Sequence, residues 1–272
     1  MPVTLSSSIL STLRSLAARG DQTAVALVAI MNGTNTAALT AATEASEIIR
    51  ISGQVKDADG QAVAAVKNVR VKAKLALGTP KTEVVVATAA ALPACTAAGT
   101  GVGHTLTADA VGVLTIDGVA VASGDRILVK NQVAGDDNGI YTLTTVGTGG
   151  VAFVLTRATD FDALGEMPYG SNVFVRTGKA NAGKTFVLTS TVVTVDTTAL
   201  TFTDLDTLVT LGLGAAGATV KSGTGSRDLW LQTASTGAFS VDVTSVSAWT
   251  GDVLLEVDVD NGETELLVVT FA

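Results

Sequence analysis

The stretch Ile48-Ile49-Arg50-Ile51-Ser52-Gly53-Gln54-Val55-Lys56, closed by Asp57-Ala58-Asp59-Gly60, decides the fold class. Ile49, Ile51, Gly53 and Val55 fall on one side of a chain whose period is two, the period of a strand with one buried face. Asp57 to Gly60 carries tight-turn chemistry, since Asp side chains bond nearby backbone and Gly takes positive φ. Two more strands are expected at residues 63–66 and 69–77.

The far end of the chain repeats the pattern. Strands are expected at 218–222, 228–233, 238–244, 252–259 and 265–271, with turns at Ser235-Thr236-Gly237 and Asp260-Asn261-Gly262. Phe239, Val241 and Val243 alternate inward, as do Val253, Leu255 and Val257. Neither set alone reaches the roughly seven strands of a sandwich, whereas 47–83 plus 207–272 together do. The expected fold is mainly β: an immunoglobulin-like β-sandwich drawn from both flanks, with an all-β module at 84–206 inserted between its strands. Insertions at loop tips are tolerated because the ends lie close together. Two independent small domains are the alternative. The run from Ser52 to Val63 resembles the first hairpin of immunoglobulin-like or carboxypeptidase-regulatory-like sandwiches.

Residues 1–46 read differently. Ser6, Ser7 and Ser8 can cap a helix that places Ile9, Leu13 and Leu16 on one face, and Gly20 is placed to end it. Residues 24–31 are apolar on every side and need a surface to bury against, and 37–46 reads as a weak helix or an extended arm. A short helical N-terminal docking arm is the expectation.

Composition narrows the function classes. The apolar share of 47% against 15% charged argues against disorder, and aromatics at 4% with 28 Gly favour short strands and tight turns. Net charge is −8, and no Lys/Arg cluster stands ready to neutralise phosphates, so no nucleic-acid partner is expected. Cys95 is the sole cysteine, which rules out an intrachain disulfide. The start lacks a basic segment followed by an apolar one. The dense apolar run at 24–31 is far shorter than the ~20 residues of a membrane span, so no membrane partner is expected either.

Three strings in the central segment carry a resemblance. They are Gly124-Asp125-Arg126-Ile127-Leu128-Val129-Lys130-Asn131-Gln132, then Asn138-Gly139-Ile140-Tyr141, then Leu155-Thr156-Arg157-Ala158-Thr159-Asp160. In this order and spacing, 84–206 resembles a β-rich module that recurs in bacteriophage tail-fibre and related virion surface proteins. The resemblance implies a virion location. Its implied partners are other virion proteins of capsid, neck or tail through the arm, a host-surface glycan as candidate ligand, and further copies of the chain, with trimers common among fibres.

Candidate chemistry is sparse. Gly178-Lys179-Ala180-Asn181-Ala182-Gly183-Lys184-Thr185 matches the P-loop formula, but a working P-loop opens a helix whose N-terminal amides hold the phosphates. Residues 185–195 instead make a β-branched run that reads as a strand, so a hairpin loop is expected and no nucleotide cofactor. The Asp57–Asp59 and Asp136-Asp137-Asn138 groups lack the six or more oxygen ligands of a calcium site, Asn68 standing where an EF-hand closes with Glu. His104, the only histidine, lies in a Gly-rich stretch read as a flexible loop without a nucleophile signature. Cys95 reads as a small buried residue, and Trp230 and Trp249 as core packing. No catalytic, cofactor-binding or metal residue is therefore expected. The expected function is a non-enzymatic virion component of fibre or spike type, with a capsid decoration or head fibre, and a carbohydrate-binding adhesin module, as the rival readings.

Overall fold

The structure, a computed structural model, describes residues 35–45, 48–57, 61–214, 217–223, 225–245, 251–259 and 264–271. The expected helix after Ser6, the apolar run 24–31, Ala58 to Gly60, Trp249 and the turn at Asp260 lie outside them. The chain is mainly β, in several antiparallel sheets. It divides into two units, one of the described residues up to Ala76 together with those from Asp206 on, the other of Leu77–Leu205.

The first unit opens with β1 (Asn35–Ala45), β2 (Ile48–Asp57) and β3 (Asn68–Leu75). β1 pairs antiparallel with β2 along nearly its whole length, Ala41 opposite Ile51. Of the two readings for this stretch, a weak helix or an extended arm, the helix is corrected: among the described residues 35–45 are extended and paired into a sheet. Alanine favours helix and β-branched Thr36, Thr40 and Thr43 favour strand, and the open edge of β2 decides between them. In β2 the alternate positions Ile49, Ile51, Gly53 and Val55 are buried. Residues 63–66 form no strand. Val63 N–H donates to Val55 O at 2.9 Å, and the Thr233 hydroxyl donates to Ala65 O at 3.4 Å.

The second unit contains β4 (Val86–Ala87), β5 (Cys95–Ala98), β6 (Thr105–Ala108), β7 (Thr115–Ile116), β8 (Val119–Ala120), β9 (Arg126–Val129), β10 (Gly139–Thr145) and β11 (Val154–Arg157). β12 (Asn172–Phe174), β13 (Thr185–Leu188) and β14 (Phe202–Asp204) complete it. Six strands form one sheet in the order β4-β9-β10-β11-β6-β5, and β12-β13-β14 form another. The run Ile127-Leu128-Val129 is buried throughout because its sheet is covered on both faces. Ile127, Val129, Tyr141, Leu143 and Leu155 belong to one apolar cluster, and Leu128, Ile140 and Ala158 to a second with Phe161, Val173 and Phe186. The unit starts ahead of Val84 because residues 78–84 pair with 170–175: Gly78 N–H donates to Gly170 O, and Lys81 N–H to Asn172 O.

The one-turn helix α1 (Leu205–Leu208) leads back to the first unit, where β15 (Val209–Leu213), β16 (Thr219–Ser222), β17 (Asp228–Gln232), β18 (Ala238–Ser245), β19 (Gly251–Val259) and β20 (Thr264–Phe271) come next. The strand orders are β1-β2-β18-β15 and β16-β17-β3-β19-β20. Strands of the two sheets approach one another, β15 to β3 and β17 and β1 to β19 and β20, and Leu211 N–H of β15 donates to Ser226 O beside β17. Phe239, Val241, Val243, Val253, Leu255 and Val257 are buried.

Candidate functional site

The P-loop formula at 178–185 falls on a hairpin loop. Val175 N–H donates to Lys184 O and Gly183 N–H to Val175 O, and Thr185 opens strand β13, so no helix N-terminus faces a phosphate. The loop amides are already engaged. Asp117, at φ 48 in the turn between β7 and β8, accepts from Ala180 N–H at 3.0 Å and from Asn181 N–H at 2.9 Å. The Asn181 side chain donates to Ala87 O at 3.2 Å and Thr88 O at 3.3 Å, which clamps the loop to the neighbouring chain segment.

The Gly-rich stretch that carries His104 turns its side chain inward. His104 is 3% exposed and belongs to a buried charge cluster. Its Nδ1 lies 3.2 Å from Gly99 O and 3.3 Å from Asp196 Oδ2, and since a carbonyl only accepts, Nδ1 carries the proton. Asp196 Oδ1 stands 2.5 Å from the Arg157 guanidinium, with side-chain exposures of 4% and 0% for the pair. Arg157 also donates to Asn138 O at 3.2 Å, Asp136 O at 3.3 Å and the Tyr141 hydroxyl oxygen at 3.0 Å, while that hydroxyl donates to Asp137 O at 2.8 Å. Burial pushes the Asp137 carboxyl above its ordinary range, helped by Asp136 and opposed by His104 and Arg157. Gly101 N–H completes the Asp196 environment.

An Asp beside His Nδ1 would orient an imidazole for base catalysis if Nε2 faced a nucleophile. Here Nε2 is buried without a hydrogen-bond partner, and the nearest charged atom is Asp137 Oδ1 at 3.9 Å. The cluster ties together residues 99–104, 135–141, the end of β11 and the turn at Asp196. Its chemistry is that of a brace. Asp196 and the role of Arg157 as its buried partner drew no attention in the sequence because long-range ion pairs leave no local pattern. The positive φ of 54 at Asp196 sits in a Thr-rich run that gives no warning of it.

The three strings behind the family resemblance meet in space. Arg126 donates to both Asp160 carboxylate oxygens, at 2.9 and 3.0 Å, which joins the first string to the third. Arg157 of the third bonds Asn138 and Tyr141 of the second. Gln132 N–H donates to Asn138 Oδ1 and Gln132 Oε1 accepts from Leu92 N–H. With its Oδ1 so used and its Nδ2 donating to Leu200 O, Asn138 is a structural peg. Among the described residues no group of three or more His, Cys, Asp or Glu could hold a metal ion.

Two further expectations need correction. Cys95 is half-buried rather than buried, its thiol donates to Pro93 O at 3.0 Å, and burial with Asp109 and Asp137 nearby pushes its pKa up to about 11, which leaves a poor nucleophile near neutrality. Trp230 is 39% exposed. Leu229 and Leu231 take the inward positions of β17, so parity turns Trp230 out. That outer face is a charge ladder. Arg70, Lys72 and Lys74 of β3 pair with Asp228 of β17 and with Asp258 and Glu256 of β19, and the Arg70 guanidinium lies 4.9 Å from the Trp230 ring centre.

The ladder sets a pH dependence. Arg70 donates twice to Asp228, at 2.9 and 2.5 Å, and this holds the Asp228 carboxyl below its ordinary range against the effect of burial. A depressed folded-state pKa adds stability above the unfolded value near about 3.9, lost as pH falls through the folded one. Asp228→Asn is therefore expected to lower first-unit stability at neutral pH and to flatten its acid limb. Urea midpoints read by tryptophan fluorescence between neutral and acid pH check this. The pair is partly exposed, so the effect is small.

No family model, no curated protein and no solved structure matches the chain.

Proposed function

We propose that the protein is a non-enzymatic structural component of a bacteriophage virion, displayed on the particle surface as a fibre- or spike-type element for attachment or assembly. In this reading the first unit is an immunoglobulin-like sandwich, the second is the inserted virion module, and residues 1–34 anchor the chain to other virion proteins. One observation carries it. The three strings that resemble the virion module are the residues that brace one another, Arg126 to Asp160 and Arg157 to Tyr141, so the resemblance falls on what the fold of the second unit requires. Immunogold labelling of intact particles with serum against the recombinant chain tests the proposal. Label at tail tip or fibres supports attachment, label over the head assigns a decoration or head fibre, and absence of label overturns it.

A second reading, a carbohydrate-binding adhesin module, is favoured by Trp230. An exposed indole beside Arg70, Asp228 and Gln232 combines an apolar ring face with planar hydrogen-bonding groups, the combination that polar ring ligands need. Glycan-array binding that is lost on Trp230→Ala would establish it, and binding unchanged by that substitution would remove Trp230 from consideration.

A further inference from the structure

We propose that the 178–183 loop is an oxyanion-binding nest whose resident ligand is the chain's own Asp117 carboxylate. Three consecutive amides converge on this one residue. Lys179 N–H donates to Asp117 O at 3.0 Å, Ala180 N–H to Oδ1 and Oδ2 at 3.0 Å each, and Asn181 N–H to Oδ2 at 2.9 Å. Successive backbone N–H groups in such a turn make a concavity of positive potential that takes a carboxylate or a phosphate, and bonds to the ionised group are the stronger kind. The P-loop formula thus marks a real anion site at 178–183, but one that closes on an internal anion.

Both sides of the contact are built for it. Gly178 has φ +131, and a Cβ on it would stand 2.3 Å from Asp117 Oδ2, so only glycine leaves room for the carboxylate. Asp117 and Gly118, at φ 48 and 79, occupy the two central positions of a tight hairpin turn that demands positive φ at both. The turn aims the Asp117 side chain away from its own hairpin and into the loop. Ile116 beside it packs in one apolar cluster of the second unit, and Val173 and Val175, just ahead of the loop, pack in the other. The internal ligand therefore latches one half of that unit's core to the other. An external occupant would be a small oxyanion with two adjacent oxygens, such as acetate or orthophosphate.

Asp117→Gly keeps the positive φ of the turn and empties the nest. The second unit of this full-length variant is expected to melt below the parent. Its midpoint should then rise in acetate or orthophosphate, relative to chloride at equal ionic strength, by more than the parent's does, the parent supplying the general stabilisation that such salts give any fold. A variant whose gain over chloride is no larger than the parent's overturns the proposal. Should the variant fail to fold, the parent supplies the test by nuclear magnetic resonance. Scalar couplings across the hydrogen bonds should connect the amide nitrogens of Ala180 and Asn181 to the side-chain carboxylate carbon of Asp117. Amides that show no such coupling overturn the proposal equally.

Discussion

Asp196→Ala is expected to destabilise the second unit by about 3–5 kcal/mol, the usual consequence of removing one partner of a buried ion pair. The Arg157 guanidinium, with no side-chain exposure, would keep its charge and lose its counter-ion. The carbonyls of Asn138 and Asp136 and the Tyr141 hydroxyl oxygen solvate that cation but do not neutralise it. His104 would lose the carboxylate at its Nδ1, and Gly101 N–H an acceptor. Replacing Arg157 and Asp196 together by apolar residues of similar volume should cost far less, because the desolvation of both charges disappears with the pair. Chemical denaturation separates the outcomes, and the chain supplies its own reporters: both tyrosines, Tyr141 and Tyr169, lie in the second unit, and Trp230 lies in the first. A small loss in the single variant, or an equal loss in the double one, would show that the cluster is not held by its charges.

Phe239→Ala is expected to cost about 3–5 kcal/mol in the first unit, the range for truncating a buried aromatic. Phe239 is 1% exposed and sits directly opposite Gly53 across the β2–β18 pairing. Its ring lies over that glycine so closely that a Cβ at position 53 would come within 2.3 Å of the ring tip. Gly53→Ala alone should therefore overpack the site, at about 1–3 kcal/mol. In the Phe239→Ala background the added methyl occupies vacated space, and Gly53→Ala should become neutral or stabilising. The double-mutant cycle followed by Trp230 fluorescence measures that coupling, and additive losses would mean that glycine is needed there for its backbone rather than for the ring.

Much of the first unit was legible because its strands alternate cleanly. β18 and β19 place branched or aromatic residues at every second position, β2 does so apart from Gly53, and the turn at Ser235 to Gly237 lies where its residues predict it. β1 was read only as a weak helix or an extended arm because Ala and Thr carry no apolar alternation, and its pairing with β2 is decided by a partner and not by its own pattern. Trp230 was misread although the parity of Leu229 and Leu231 contained the answer. Its place in a C-terminal strand suggested a core, while the period of two placed it outside. In the second unit Asp117-Gly118 is a dipeptide suited to a tight hairpin turn, but the loop it serves lies about sixty residues downstream. The His104 cluster was hidden for the same reason: its members come from four separate segments, and burial was the property that no local window could report.

The place of β3 bears on how the protein is made. β3 is central in its sheet, with β17 on one side and β19 on the other, and both are encoded after the whole second unit. A ribosome that delivers the chain from its N-terminus releases β2 and β3 with apolar faces and open edges, then completes the second unit before the rest of that sheet emerges. During this interval many nascent chains on one message would present identical open strands to one another. Arg70, Lys72 and Lys74 then act as gatekeepers, because a row of like charges opposes pairing between two copies of β3. The acids that neutralise the row, Asp228, Glu256 and Asp258, arrive on the strands that close the edges. The repulsion lasts as long as the hazard does.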